Sequence, residues 1–328
     1  MLFYTAESPN DFPVSELDPD AHILLSPTSF HPRHEYRFHH PNSVLIDSGA
    51  YVHGAALTPR GRFRTLVEQI RIAEQFPDAQ VTLTHCDVLA RDTLDPRSVI
   101  DETLRNAEWF MAQRDLQPHW KRMLVAQARD PDEYYLVVSE LRALAPDLIA
   151  LGGLTRFVRQ DRKFIPVMIE AASEGAGDLP LHALGITAAH VLQHLKGLGI
   201  AQCDSATAVW AAVYGNLVYS RPYRRYRLAS RHSNQPEARQ ETSFAKTINQ
   251  PLACECPVCR TDAQILTGAS VRAKYARFIH NYYHLKIEVQ GGGPWQEAYS
   301  SAEYQSVLTT YLSSRTSCAD TAPCDSGS

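Results

Sequence analysis

Short apolar runs alternate with amphipathic stretches along most of the chain. "HILLS" (22–26), "SVLID" (43–47), "AQVTLTHCD" (79–87), "RMLVAQ" (122–127), "LIALGG" (148–153), "LHALGI" (181–186) and "AQCDS" (201–205) have the length and apolar character of buried strands. Between most of them lie helical patterns: "RTLVEQIRIAEQF" (64–76), "SVIDETLRNAEWFMAQR" (98–114), "DEYYLVVSELRALA" (132–145) and "AAHVLQHLKGLG" (188–199). Strand, helix, strand repeated this often implies parallel strands joined by helical crossovers. Seven such strands over about 190 residues suit a (β/α)8 TIM barrel better than two Rossmann halves, and no GxGxxG follows any of them. The eighth strand is expected between 215 and 250.

Composition adds limits. The 328 residues are 44% apolar and 21% charged, which is ordinary for a globular chain and argues against disorder. The start, "MLFYTAESPNDFPVSE", has no basic segment followed by an apolar core, and no stretch approaches the roughly 20 apolar residues of a membrane span, so the expectation is a cytoplasmic protein with no membrane partner. A net charge of −4 argues against indiscriminate coating of nucleic acid. Charge can still be local: "RPYRRYRLASR" (221–231) holds five arginines and two tyrosines. It reads either as a phosphate-binding stretch carried by Arg221, Arg224, Arg225 and Arg227, or as a solvated loop or charged edge strand. The residues from 313 to 328 are rich in Ser, Thr and Asp and are read as a disordered tail after a single catalytic domain spanning 1–312.

Seven cysteines occur, at 86, 203, 254, 256, 259, 318 and 324. Three of them crowd into "CECPVCR", a spacing that belongs to a metal site and not to a secreted disulfide framework. Three thiolates plus one imidazole would form a closed set suited to structural zinc, in a small subdomain at about 245–290. "VRAKYARFIHNYYHLK" offers His280 and His284, one helical turn apart, for the fourth position.

The C-terminal ends of the predicted strands carry Asp47, Asp87, Gln127, Gly152 with Gly153, Gly185 and Asp204. In a barrel those ends form one face, where active sites are built. Each residue also has a plainer reading. Asp47 and Asp87 could be turn residues, Asp204 a helix N-cap before "SATAVWAAVYGN", Gln127 a buried amide tied to backbone, and Tyr51 packing at the barrel rim.

The ordered set "DSGAY", "HCD", "VAQ", "LGGL", "HALG", "CDSA", "CECPVC" and the pair His280-Asn281 resembles the tRNA-guanine transglycosylase superfamily, over about residues 43 to 285. That family exchanges a guanine in a polynucleotide for a free 7-deazaguanine base, on a barrel with a small zinc subdomain. The resemblance implies Asp204 as nucleophile and Asp47 as general acid/base. It implies that Asp87 holds the Watson–Crick edge of the base, that Gln127 and the Gly152, Gly153 and Leu154 backbone contact its O6 and 7-substituent, and that Tyr51 stacks on it. For the metal it implies Cys254, Cys256, Cys259 and His280 around Zn2+.

Several departures from the tRNA-acting pattern bear on the polymer. Val52-His53 follow the first motif's aromatic, and Ser-Ala-Thr follows Asp204. No acidic residue closely follows "LGGL", where Thr155-Arg156-Phe157 stand, so a cationic 7-substituent lacks a local counter-charge and neutral preQ0 is expected over preQ1. Asp47 also comes some 50 residues earlier than in tRNA-modifying relatives, and no appended RNA-binding module follows the zinc motif. These features look like the DNA-modifying branch, the DpdA-type DNA-guanine transglycosylases. DNA is therefore the expected polymer, with tRNA the alternative, and an ATP-driven DNA-opening protein is an expected partner. A competing class is a zinc-stabilised nucleic-acid-binding protein with a decayed barrel site.

Overall fold

The computed structural model describes residues 1–27, 35–36, 39–50, 58–89, 95–114, 116–155, 164–186, 189–220, 223–229 and 246–290. Tyr51, Arg221 and the 313–328 tail lie outside them. Eight parallel strands close a barrel in chain order: β1 (Leu2–Ala6), β2 (His22–Leu25), β3 (Ser43–Ile46), β4 (Gln80–Thr84), β5 (Lys121–Gln127), β6 (Leu148–Gly152), β7 (Leu181–Ala183) and β8 (Gln202–Ser205). Helices follow six of them: α1 (Pro59–Ala73), α2 (Pro96–Met111), α3 (Pro131–Ala143), α4 (Phe164–Ala176), α5 (Ala189–Gly197) and α6 (Thr207–Val213). The fold is thus a (β/α)8 TIM barrel.

One strand was misplaced from sequence. The eighth barrel strand is not between 215 and 250 but at the N-terminus, where β1 pairs with β2 on one side and closes on β8 on the other, Tyr4 opposite Asp204. The 215–250 region instead supplies β9 (Asn216–Tyr219), β10 (Arg224–Leu228) and β11 (Lys246–Ile248), a separate three-stranded sheet with β10 in the middle. Within the arginine-rich stretch, Arg224–Leu228 is therefore a central strand and not an edge or a loop.

Three of the helices start by one device. Thr58, Asp95 and Asp130 each accept the backbone N–H three residues on, at 3.2, 3.0 and 2.8 Å, and each is followed by proline in the first turn. The cap satisfies a donor that the helix cannot, and proline's fixed φ suits a position whose N–H has no helical partner. These caps start the helices one to five residues earlier than apolar periodicity alone suggests.

After α6 come α7 (Pro257–Asp262) and the long α8 (Val271–Gln290), which packs on α6, β9 and β1. Phe3 stacks on Tyr282, Lys274 pairs with Asp11 at 3.1 Å, and Asp18 accepts from Tyr282 (2.7 Å) and pairs with Lys286. The fully buried Arg277 donates to the carbonyls of Ala212, Leu266 and Gly268, each at 2.8 Å, and so ties the end of α6 to the turn before α8. No helix among the described residues is long and apolar enough to cross a membrane.

The core divides as strand alternation requires. Ile23, Leu25, Val44, Ile46, Val81, Leu83, Leu124, Ile149 and Leu151 face the helices, whereas Tyr4, Leu45, Met123, Val125, Leu148 and Ala150 form a separate cluster inside the barrel. Counting on by two from the inner set reaches Asp47, Gln127 and Gly152. The same alternation puts His182 and Gln202, paired in register, with Asp204 on the inward face. The pleat that fills the barrel also delivers the polar residues to its mouth.

Candidate active site and metal centre

Asp47, Asp87 and Asp204 converge at the C-terminal face. Asp47 follows β3, and its backbone N–H bonds Leu25 O at 2.8 Å, which continues the β2–β3 ladder one residue past the strand. Its Oδ1 accepts Ser48 N–H at 2.7 Å. The residue is partly buried. Desolvation, and then the neighbouring Asp87 charge, push its carboxyl up from 3.8 to about 7, with a smaller contribution from Asp204. Burial disfavours the anion and two nearby carboxylates disfavour it further.

Asp87, after β4, is almost fully buried. It is no free turn residue: Oδ1 accepts Ser48 Oγ–H at 3.1 Å and Oδ2 accepts Gln127 Nε2–H at 2.6 Å. Burial raises its pKa, against the lowering effect of those two hydrogen bonds. Gln127 is likewise not tied to backbone. Its side chain lies against Gly152, where an added Cβ would collide with the amide. Gly153, at φ +81°, occupies backbone space that only glycine enters without strain, and Leu154 beyond it is fully buried.

Asp204 does not cap α6. The N-cap of that helix is Ala206, which makes no side-chain cap bond. Asp204 Oδ1 instead lies 2.9 Å from His182 Nε2 and accepts Gly185 N–H at 2.9 Å. Gly185 sits at φ +72°, a left-handed turn that aims its amide back at the carboxylate.

Several supporting residues were given no role by the sequence. Ser48 bridges the Asp47 and Asp87 segments. Gln69, buried on α1, aims one amide nitrogen at the carbonyls of Ile46 (3.2 Å), Asp47 (3.1 Å) and Thr84 (2.8 Å), clamping the ends of β3 and β4 together. His85 accepts Val125 N–H at 3.1 Å, joining the end of β4 to β5. Tyr134 from α3 donates to Gly152 O. Such contacts lie between elements, and a short motif, even one that contains Ser48 or His85, does not reveal the partner.

The second centre lies against the small sheet. Cys254, Cys256, His280 and His284 bring ligand atoms within 4.8 Å of one another, a cluster that could hold a metal ion. Cys259 adjoins it: His280 Nδ1 is 3.7, 3.3 and 3.6 Å from the sulfurs of Cys254, Cys256 and Cys259. His284 turns Nδ1 toward Ser220, 3.1 Å from its N and 2.9 Å from its Oγ. Tyr219 packs edge-on against both His280 and Tyr226 of β10, so the strand bearing Arg224, Arg225 and Arg227 is built onto the Cys/His cluster. Arg224 and Arg225 are exposed, and Arg227 is partly buried.

The chain matches no family model and no curated protein. Fold and side chains define a class nonetheless: a closed (β/α)8 barrel with three carboxylates and an amide gathered at its C-terminal mouth, and a Cys/His cluster beside it that could hold a metal ion.

Proposed function

We propose that this protein is a base-exchange glycosyltransferase that replaces guanine in DNA with a free 7-deazaguanine base, in the manner of the transglycosylase superfamily its motifs resemble. The observation that carries the reading is the Gln127–Asp87 hydrogen bond beside two further carboxylates. With one amide hydrogen on Asp87, Gln127 keeps its second for an acceptor, and Asp87 keeps lone pairs for donors. Guanine and 7-deazaguanine present that complement: O6 accepts, while N1–H and the exocyclic amine donate. Adenine would set its N1 lone pair against the carboxylate, and a buried site rejects such a mismatch strongly.

The chemistry divides between the other two carboxylates. Asp204 attacks C1′, the C1′–N9 electron pair leaves with guanine, and Asp47 supplies the proton. The incoming base then forms its N9–C1′ bond, Asp47 takes the proton from N9, and the C1′–O pair returns to Asp204. Two displacements give net retention at the anomeric carbon. A carboxyl held near 7 suits an acid that must give and regain a proton around neutrality.

For the metal, the reading assigns structural zinc to Cys254, Cys256, Cys259 and His280. Across a tetrahedral centre with Zn–S of about 2.3 Å and Zn–N of about 2.0–2.1 Å, sulfur and nitrogen stand roughly 3.6 Å apart. The three His280–sulfur separations of 3.3–3.7 Å fit this spacing. His284, held by Ser220, then supports the set from outside it. Zinc so bound contributes to the folding of the subdomain and takes no part in the exchange. Arg224 and Arg225 supply phosphate contacts. DNA is preferred over tRNA on the departures from tRNA-type motifs, and neutral preQ0 on the absence of an acidic residue just after Leu154 in the sequence.

The test offers purified protein labelled preQ0 with plasmid DNA, single-stranded DNA and bulk tRNA in parallel. Incorporation into DNA is expected, together with a denaturation-resistant protein–polymer adduct that Asp204→Asn lacks. Incorporation confined to opened or single-stranded DNA would point to the DNA-opening partner, because extruding a nucleotide from a duplex costs a few kcal/mol. Incorporation into tRNA alone would overturn the choice of polymer, and undiminished exchange by Asp204→Asn would overturn the mechanism.

A further inference from the structure

The imidazole of His182 is fully buried beneath the carboxylate proposed as nucleophile. Strand register sets it opposite Gln202, and both ring nitrogens are engaged: Nδ1 lies 3.2 Å from Gln202 Oε1 and Nε2 lies 2.9 Å from Asp204 Oδ1. The Gly185 amide reaches the same Oδ1. Both hydrogen bonds therefore fall on one oxygen of Asp204, and among the described residues none is made to Oδ2.

We infer that His182 is the positioning residue of Asp204: it carries a proton on Nε2, donates it to Oδ1, and with the Gly185 amide fixes the carboxylate plane so that Oδ2 is the attacking oxygen. The inference rests on the transglycosylase reading for its kinetic consequence, but not for its hydrogen-bond assignment. An ionised carboxylate only accepts, so a nitrogen 2.9 Å from it has to bring the hydrogen. The other side of the ring allows this in either charge state. With Nδ1 bare, Gln202 turns its NH2 toward the ring, and with Nδ1 protonated it turns its oxygen, a half-turn of an amide whose two ends differ only in hydrogen. Gln202 thus accommodates the ring in either charge state, and the carboxylate at Nε2 sets the side on which the proton sits.

The hydrogen bond acts unequally on the two half-reactions. In the resting site it draws some charge from the nucleophile. When the glycosyl ester breaks, the C1′–O electron pair returns to Asp204, and the waiting Nε2–H stabilises the charge as it develops. Removing His182 should therefore slow ester breakdown more than ester formation, so that adduct accumulates while turnover falls.

Two measurements test this. Ring 15N shifts of the labelled wild-type protein, with His182 assigned by its absence from the His182→Gln spectrum, should show a protonated Nε2 from pH 6.5 to 8.5. A bare Nε2 there would overturn the inference. In exchange assays His182→Leu should lose about 100-fold in kcat, the scale of a slightly misplaced reacting group, with KM within about threefold and a larger steady-state fraction of adduct. His182→Gln, whose amide nitrogen is the same number of bonds from the backbone as Nε2, should recover at least about tenfold of that loss, a rescue that simple space-filling would not give. Near wild-type kcat in His182→Leu, or no recovery in His182→Gln, would overturn the positioning role. If His182→Leu does not fold, His182→Gln against wild type and the ring shifts decide. If the wild-type protein exchanges base in no polymer, the transglycosylase reading fails, and the ring shifts still decide the proton's position.

Discussion

Replacing Asp47 by Asn should stabilise the protein above neutral pH while abolishing exchange. Desolvation and the Asp87 charge raise the Asp47 carboxyl from 3.8 to about 7. At about 1.4 kcal/mol per pKa unit, a shift of roughly three units corresponds to ~4 kcal/mol. The sign follows from proton binding. Between about pH 4 and 7 the folded chain holds a proton that the unfolded chain has released, so this group's stabilising contribution is complete below about pH 4. It falls as pH rises and is gone above about 7. Asp87, also raised by burial, contributes in the same direction.

Asn is neutral at every pH and keeps an oxygen for the Ser48 N–H, so it removes the Asp47 part of this slope. Urea unfolding of both proteins from pH 5.5 to 8.5 should show the variant gaining on the wild type by about 2 kcal/mol across the window, the share of the ~4 kcal/mol that falls above pH 5.5. The wild-type kcat/KM should carry a limb near pH 7. Parallel stability curves, or a variant that loses ground at high pH, would show that Asp47 ionises without difficulty in the folded protein and would remove the basis for its acid/base role.

Two other substitutions probe the rest of the site. Metal analysis should find about one zinc per chain, and Cys256→Ala should lose both metal and solubility, because the buried Cys256 sulfur is one of the clustered donors, 3.3 Å from His280 Nδ1; a soluble, active, zinc-free protein would refute the structural role. Gly152→Ala sets a methyl group into the Gln127 amide, so it should cost about 1–3 kcal/mol of stability and raise KM for the free base by tenfold or more, and wild-type KM would show that the Gln127–Asp87 contact does not read the base.

What the sequence disclosed follows the range of the interactions involved. Seven barrel strands were legible because each is a short apolar run bounded by turn residues, and Asp47, Gln127 and Asp204 were legible because they stand where those runs end. The strand Leu2–Ala6 was not, since nothing local separates "LFYTA" from any apolar N-terminus. Its identity comes from pairing with β8 two hundred residues away, and from Phe3 and the β1–β2 loop docking on α8. The loop or edge reading of the arginine-rich stretch fails at Arg224–Leu228 for the same reason: that strand's central place depends on β9 and on the three-residue β11 far along the sequence. Between His280 and His284, one helical turn apart, the motif resemblance selects His280; the structure gathers both with Cys254 and Cys256 in the cluster that could hold a metal ion, with His280 Nδ1 3.3–3.7 Å from three sulfurs.

The three carboxylates share a place at strand ends, and the fold gives each different surroundings. Asp87 is held by two side-chain donors, Ser48 and Gln127, which commit it to accepting. Asp204 has one oxygen fixed by His182 and Gly185, which leaves the other for attack on the proposed chemistry. Asp47 receives backbone N–H bonds from Ser48 and Gly49, and these do not offset burial beside Asp87 and Asp204, so its carboxyl is raised to about 7. Neighbouring titratable groups pushed into different environments take different parts in a reaction. On the proposed chemistry the proton then falls to Asp47 and the covalent bond to Asp204, and exchanging the two assignments would demand a nucleophile that is half protonated at neutral pH and an acid with one oxygen already held by His182 and Gly185.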